Sequence, residues 1–189
     1  MPSSARPDVR LTYDDFLLFP DDGMRHELID GEHYVTPSPN RRHQKLLGRL
    51  NWALVDHLRA YPAQGEAYAA PFDVVFSHWD VVEPDLLVVT GDQLGILTDK
   101  NIVGAPALVV EILSPGTRKR DRTIKRGLFE RSGVREYWMV DPDQNTVVVH
   151  RRDAAGAFPS AGEFRAEDGA ILTTPILPAF RLPLDQLFA

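Results

Sequence analysis

The 189-residue chain has no cysteine, which excludes disulfides, thiolate-bound zinc and iron–sulfur centres. Any metal must be held by carboxylates, carbonyls, water or histidine. No apolar run approaches the roughly 18 to 20 residues that span a bilayer. The first ten residues, MPSSARPDVR, lack the apolar core of a secretory signal. A cytoplasmic protein without membrane attachment is therefore expected. An excess of positive charge is missing too. The formal net charge is −6, which weakens the case for non-specific binding to nucleic acid. Basic residues are nevertheless clustered: six of the nine residues from Arg118 to Arg126 are Lys or Arg, and Arg41, Arg42, His43 and Lys45 form a second group. A polyanion could still meet one face. With 43% hydrophobic and 25% charged residues, the chain has an ordinary globular composition and length enough for one domain with a sizeable core.

Hydrophobic patterning divides the chain without a linker, an internal repeat or a low-complexity tract. Residues 1–11 read as a loose tail. Thr12 is placed to cap a short helix with Asp14 and Asp15 in its first turn and Phe16, Leu17 and Phe19 as its apolar side. Asp30-Gly31 is a tight-turn signal between two short strands, and alternation puts Glu27 on the same face as Ile29. From Arg41 to about Tyr61, Leu46, Leu47, Leu50, Leu54, Val55 and Leu58 follow helical spacing. Strands are predicted near Ala67–Ala70, Phe72–Phe76, Val81–Val89, Pro106–Leu113, Glu136–Val140 and Thr146–His150. A long surface loop is predicted over 90–105, a basic helix over 121–132 with Ile124 and Leu128 as an apolar pair, and a short final helix over Leu184–Phe188. His78, Trp79 and Asp80 read as a hairpin turn, and Trp138 as core. The sum is a single domain, 1–189, of α/β (α+β) class.

The chemistry concentrates in Pro106–Lys125, PALVVEILSPGTRKRDRTIK. An apolar strand carries one acid, Glu111, between Val110 and Ile112, and a lone buried acid is costly unless paired or bound to a cation. Upstream, Glu83-Pro84-Asp85 sets acids among strand formers again. Carboxylates on neighbouring strands lie within about 5 Å and repel unless a divalent cation neutralises them. Mg²⁺ or Mn²⁺ takes oxygen ligands and keeps waters, leaving room for a phosphate oxygen. Lys125, on the helix that follows, is placed to stabilise developing negative charge or to help activate water. The arrangement points to metal-assisted phosphodiester hydrolysis, with Asp85 and Glu111 as metal ligands.

Several motifs in order carry a resemblance: Glu27-Leu-Ile-Asp-Gly-Glu32, His43 opening the long helix, Glu83-Pro84-Asp85, Val110-Glu111-Ile-Leu-Ser114-Pro115, Asp121…Lys125 and Glu136-Tyr-Trp-Met-Val-Asp141. Together they are similar to the Uma2 family (domain of unknown function 820) of the PD-(D/E)XK nuclease superfamily. The resemblance runs from about Tyr13 to Asp141 and more weakly beyond. It implies a restriction-endonuclease-like core, a mixed central sheet flanked by helices, and a Mg²⁺- or Mn²⁺-dependent endonuclease acting on nucleic acid, DNA above all, as a homodimer. The implied catalytic set is Asp85, Glu111, Lys125 and Glu27, with His43, Ser114 and Asp121 as secondary candidates. One departure stands out: where the superfamily signature has lysine two residues after the acid, this chain has Leu113, and Lys125 is the natural substitute.

Other readings stay open. Asp85 can merely end a strand, and Glu111 can pair with Lys125 in a structural salt bridge. Lys125 can face Asp121 on a solvated helix face, Glu27 can pair with Arg25, His43 can be a satisfied helix histidine, and Ser114 can brace its loop. At the level of the whole protein, a nuclease-like fold kept as a binding or assembly module without turnover is one alternative. A glycosidase using paired acids in an aromatic-lined cleft is another.

Overall fold

Every residue from Leu108 to Ile112 is buried, and the reason is that helices cover both faces of their sheet. The computed structural model describes residues 10–36, 38–159 and 161–189, so all of the expected tail up to residue 9 lies outside the described residues. The described part opens with α1 (Tyr13–Phe16), which Thr12 caps as the sequence predicts, and Asp15 in its first turn reaches back to the Thr12 amide. Strands β1 (Arg25–Ile29) and β2 (Glu32–Thr36) follow as a hairpin, then α2 (Arg41–Ala60). Next come β3 (Gly65–Ala69), β4 (Val74–Ser77), β5 (Asp80–Val82), β6 (Leu86–Thr90), β7 (Ile102–Val103) and β8 (Leu108–Ile112). A basic helical stretch consists of α3 (Arg118–Arg120), a wider π turn (Asp121–Lys125) and α4 (Arg126–Ser132). The chain ends with β9 (Glu136–Asp141), β10 (Thr146–Arg151), β11 (Ala161–Arg165), β12 (Ile171–Leu172), β13 (Leu182–Pro183) and α5 (Leu184–Phe188).

The larger sheet has six strands in the order β11-β10-β9-β8-β6-β3, and a second sheet of five runs β2-β1-β5-β4-β7. Both are mixed: β8 and β9 are parallel, as are β4 and β7, and the remaining pairs are antiparallel. The parallel β8–β9 pair needs a crossover, and the helical stretch Arg118–Ser132 provides it. Alternation then sorts the core. Leu108, Val110 and Ile112 pack with Leu46, Leu50, Leu54 and Leu58 of α2, whereas Val109 and Leu113 pack with Leu128 and Phe129 of α4. Glu111 therefore points to the side from which the basic helix approaches. This is the mixed, helix-flanked sheet expected from the sequence, and Trp138 is fully buried within it.

At Asp30-Gly31 the hairpin turns with φ of 55° and 77°, left-handed values that glycine and aspartate tolerate best. Glu27 and Ile29 are both buried, as their shared face requires. His78 and Trp79 join β4 to β5 with their rings 5.1 Å apart.

Five local expectations need correction. The single strand predicted over Val81–Val89 is two strands in different sheets, because Pro84 cannot donate to a ladder and the chain crosses between sheets at Glu83-Pro84-Asp85. The loop predicted over 90–105 contains a 3₁₀ turn, Gly91–Ile96, and β7. The basic helix begins at Arg118 rather than Asp121. Ile124 and Leu128 do not form one apolar stripe: Leu128 is fully buried but Ile124 is 38% exposed. Leu17 likewise faces solvent, while Phe16 and Phe19 are only partly covered.

Candidate active site

Antiparallel register pairs Leu86 of β6 with Val110 of β8, so one step further along the ladder Asp85 comes alongside Glu111. The two acids meet at the end of the sheet where the Ser114–Thr117 turn leads into the basic helix. Asp85, Glu111, Asp121, Lys125, His43 and Ser114 line one cleft of about 200 Å³. Glu27 reaches the same place from the second sheet.

Lys125 is the hub. Its Nζ lies 2.6 Å from Glu111 Oε1 and 2.7 Å from Glu27 Oε1, and the side chain is nearly inaccessible. The π turn delivers it. Arg126 N–H bonds to Asp121 O, five residues back, and Tyr137 Oη donates to Asp121 O at 3.3 Å, tying the turn to β9. Single π turns of this kind re-aim side chains and recur at functional sites. Leu113, at the position where lysine stands in the superfamily signature, is packed in the core beneath α4.

Asp85 is held on every side. Arg25 NH1 is 2.9 Å from Oδ1, while Oδ2 accepts Ile112 N–H at 2.8 Å and faces His43 Nε2 at 3.0 Å. Asn40 sets His43 in place by capping α2, its Oδ1 accepting His43 N–H at 2.9 Å. Glu27 accepts Glu83 N–H at 3.1 Å and has Arg120 NH2 3.4 Å from Oε2. Arg120 in turn donates to Thr36 Oγ1 at 2.6 Å and lies over the Tyr34 ring. Ser114 pairs with Thr117 at 3.0 Å and accepts its N–H, so it braces the turn as well as lining the cleft.

Charge does not balance here. Glu27, Glu83, Asp85, Glu111 and Asp121 face the permanent cations Arg25, Arg120 and Lys125, a surplus of two carboxylates. The protonation equilibria show where the surplus falls. Burial drives Glu111 well above the ordinary carboxylate range against the pull of Lys125, and Asp85, Asp121 and Glu27 push it further. Burial likewise raises Asp121, with Lys125 opposing, and pushes Glu83 up to about 7, with Arg25 opposing. Asp85 goes the other way: burial would raise it, but His43, Arg25 and the Ile112 N–H outweigh that and lower it. Burial alone would lower Lys125, yet Glu111, Glu27 and Asp121 hold it above its ordinary value, so it keeps its proton.

These residues suit a hard divalent cation. They supply oxygen donors only, and a 2+ ion would cancel the surplus. Asp121 Oδ1 is also buried without a hydrogen-bond partner, and Glu27 Oε2 has only the ion pair with Arg120 at 3.4 Å, a condition that calls for an explanation. Among the described residues, however, no three His, Asp or Glu side chains are grouped ready to hold an ion, because Lys125 and Arg25 sit between the carboxylates.

The structure thus brings together all seven residues named from the sequence. Glu27 pairs with Lys125 and Arg120 rather than with Arg25, and Asp121 with Lys125 lies buried rather than on a solvated face. Sequence reasoning missed Arg25 and Arg120. Alternation gave a signal for Arg25, two residues before Glu27 on β1. Arg120 had only its place in the basic run Arg118–Arg126, since the helix was expected to start one residue after it.

No curated protein matches the chain in sequence. A crystal structure described as that of "a putative nuclease belonging to DUF820", from Anabaena variabilis ATCC 29413, superposes with a TM-score of 0.79. The match covers 94% of this chain and 97% of that one at 22% sequence identity, a likeness of fold. The model of the Uma2 family, described as "Putative restriction endonuclease", matches residues 13–185, from α1 into α5. The chain belongs to the Uma2 family.

Proposed function

We propose that the chain forms one nuclease domain that hydrolyses phosphodiester bonds, in DNA above all, with Mg²⁺ or Mn²⁺. The observation that carries this reading is the surplus of buried carboxylates gathered around a single lysine in a cleft. Asp85 and Glu111 would hold the ion, which supplies Lewis-acid polarisation of a phosphoryl oxygen and an activated water. Asp85 is suited to its part because His43, Arg25 and the Ile112 amide keep it ionised before any ion arrives. Glu111 is suited because its charge stays unfavourable beside Lys125 alone and would be favoured once a divalent cation joins the cleft. Lys125, held protonated, acts as an electrostatic group that stabilises charge developing on the phosphate and the leaving oxygen. It is not a base. Glu27 and Arg120 position that lysine.

The test is plasmid cleavage with Mg²⁺ or Mn²⁺ by wild type, Asp85→Ala and Glu111→Ala. Each variant is expected to lose at least about a hundredfold in rate, since losing the ion removes several kcal/mol of transition-state stabilisation. Equal cleavage by all three would remove the assignment. Two cuts on two strands take two sites, so a homodimer is part of the proposal. Light scattering after size exclusion should give twice the 21.2 kDa chain mass, and a mass of one chain would refute the dimer.

One observation favours the second reading, a binding module without turnover: the carboxylates already have protein cations as partners. Such a module need not take up Mn²⁺ in calorimetry. The glycosidase reading requires aromatic walls, and among the described residues those lining the cleft include no Phe, Tyr or Trp.

A further inference from the structure

In the nuclease reading Arg25 only helps to keep Asp85 ionised, and it has no contact with the substrate. Its side chain leaves β1 on the same face as Glu27, and its guanidinium is divided between two acids. NH1 lies 2.9 Å from Asp85 Oδ1, and Nε lies 3.4 Å from Glu83 Oε1. The other Asp85 oxygen is fixed independently by the Ile112 amide and His43. Oδ1 is therefore the oxygen whose partner can be exchanged, and Arg25 holds it. The arginine also has space beside it. It lines both the cleft and an adjoining groove of about 280 Å³, and its side chain keeps 21% exposure.

A guanidinium and a divalent ion on one carboxylate repel each other strongly in a site shielded from water. Once an ion takes over the charge of Asp85, Arg25 keeps only Glu83, at 3.4 Å. A phosphodiester entering the same cleft offers two anionic oxygens to a planar fork built to bind such a pair.

We infer that Arg25 occupies the metal-facing oxygen of Asp85 until a divalent cation displaces it, and then clamps the phosphodiester oxygens of the substrate. No covalent bond of the protein forms or breaks: Asp85 would exchange its salt bridge with Arg25 for coordination of the cation, and the guanidinium would pair with phosphodiester oxygens instead. The inference rests on the nuclease reading and names the phosphate-binding residue of that same site. It also accounts for the lack of a ready three-ligand group among the described residues, because protein cations draw the carboxylates onto themselves.

The experiment titrates Mn²⁺ by calorimetry into wild type, Arg25→Gln and Arg25→Lys, and measures plasmid cleavage by each at saturating Mn²⁺. Arg25→Gln should bind Mn²⁺ at least about fivefold tighter, because its competitor is gone, yet cleave at least about tenfold slower. Arg25→Lys keeps the charge without the fork, so it should bind Mn²⁺ within about twofold of wild type and still cleave about tenfold slower. A residue that merely braces the site would instead weaken Mn²⁺ binding and cleavage together. Unchanged or weaker Mn²⁺ binding by Arg25→Gln overturns the displacement, and wild-type cleavage by Arg25→Lys overturns the clamp. Tighter Mn²⁺ binding with no cleavage by any of the three proteins sinks the nuclease reading and leaves the exchange at Asp85 standing. No Mn²⁺ uptake by any of them sinks both.

Discussion

Two ionic clusters flank the same short helical segment, and they are built on opposite terms. On one side Arg118 and Arg122 reach Asp141, a fully buried acid. Arg118 contacts both of its oxygens, Arg122 lies 3.3 Å from one of them, and the amides of Asp143 and Gln144 donate to Oδ1. Every lone pair of Asp141 has a donor, and charge balances: two guanidiniums face two carboxylates, since Arg118 also lies 2.7 Å from Oδ2 of the exposed Asp143. Burial would raise Asp141, but Arg118 and the two amides more than offset it and hold the group below its ordinary value. On the other side, Arg120 and Lys125 enter a cleft where acids outnumber cations, and Glu111 is driven upward. Both acids are buried, but the guanidiniums at Asp141 reach solvent and Lys125 does not, so access to water and charge balance differ together. The Asp141 cluster is built for stability. The cleft is left with an unmet demand for positive charge.

That contrast is broken most decisively by neutralising one acid on each side. Glu111→Gln should abolish cleavage, with a loss of about a thousandfold or more, corresponding to roughly 4 kcal/mol. It should not lower the melting temperature of the metal-free protein, because it removes a charge that is already in surplus. Thermal unfolding without divalent ions, beside the cleavage assay, reads both quantities. Unfolding several degrees lower would show that Glu111 serves the fold, through its bond to Lys125, and would undo the contrast.

The opposite is expected of Asp141→Asn. Two guanidiniums lose their buried partner, which should cost about 1–3 kcal/mol and lower the melting temperature by roughly 2–10 °C in a chain of this size. The sign with pH follows from the lowered Asp141. Its contribution is fully present above the ordinary carboxylate value and is lost as pH falls through the native value. The gap in stability between wild type and Asp141→Asn should therefore close in acid. A gap independent of pH between 7 and 3 would show that the carboxylate charge is not what stabilises this corner.

Much of this was legible in the sequence, and the limits have physical causes. Strong periodicity revealed α2, whose apolar stripe survives any register error of one residue. Asp30-Gly31 fixed the hairpin because few other residues adopt its backbone angles. Glu111 stood out because an acid amid Val and Ile has no cheap explanation. Asp85 was found with it, but the change of sheet at Pro84 was not, since two short apolar strands around a proline look like one interrupted strand. The π turn left no mark either. A helix that inserts one residue keeps the composition of an ordinary helix, so Ile124 was expected on the buried stripe. Arg25 was legible only as a neighbour of Glu27, because alternation tells which face a side chain leaves and not which partner it meets across 60 residues of chain.

The smallest expected effect concerns the third direction in which the helical segment points. Arg118 and Arg122 go to Asp141, and Asp121 and Lys125 go to the cleft, while Ile124 is left 38% exposed between them. Ile124→Ala should shift stability by no more than about 0.5 kcal/mol, and neither cleavage nor Mn²⁺ binding should change. Melting temperature and calorimetry on this variant check whether the two clusters are independent of the outward face. A change in Mn²⁺ affinity would mean that the π turn depends on Ile124 to aim Lys125. The two ionic regions would then be coupled through the backbone they share, instead of differing only in charge balance and access to water.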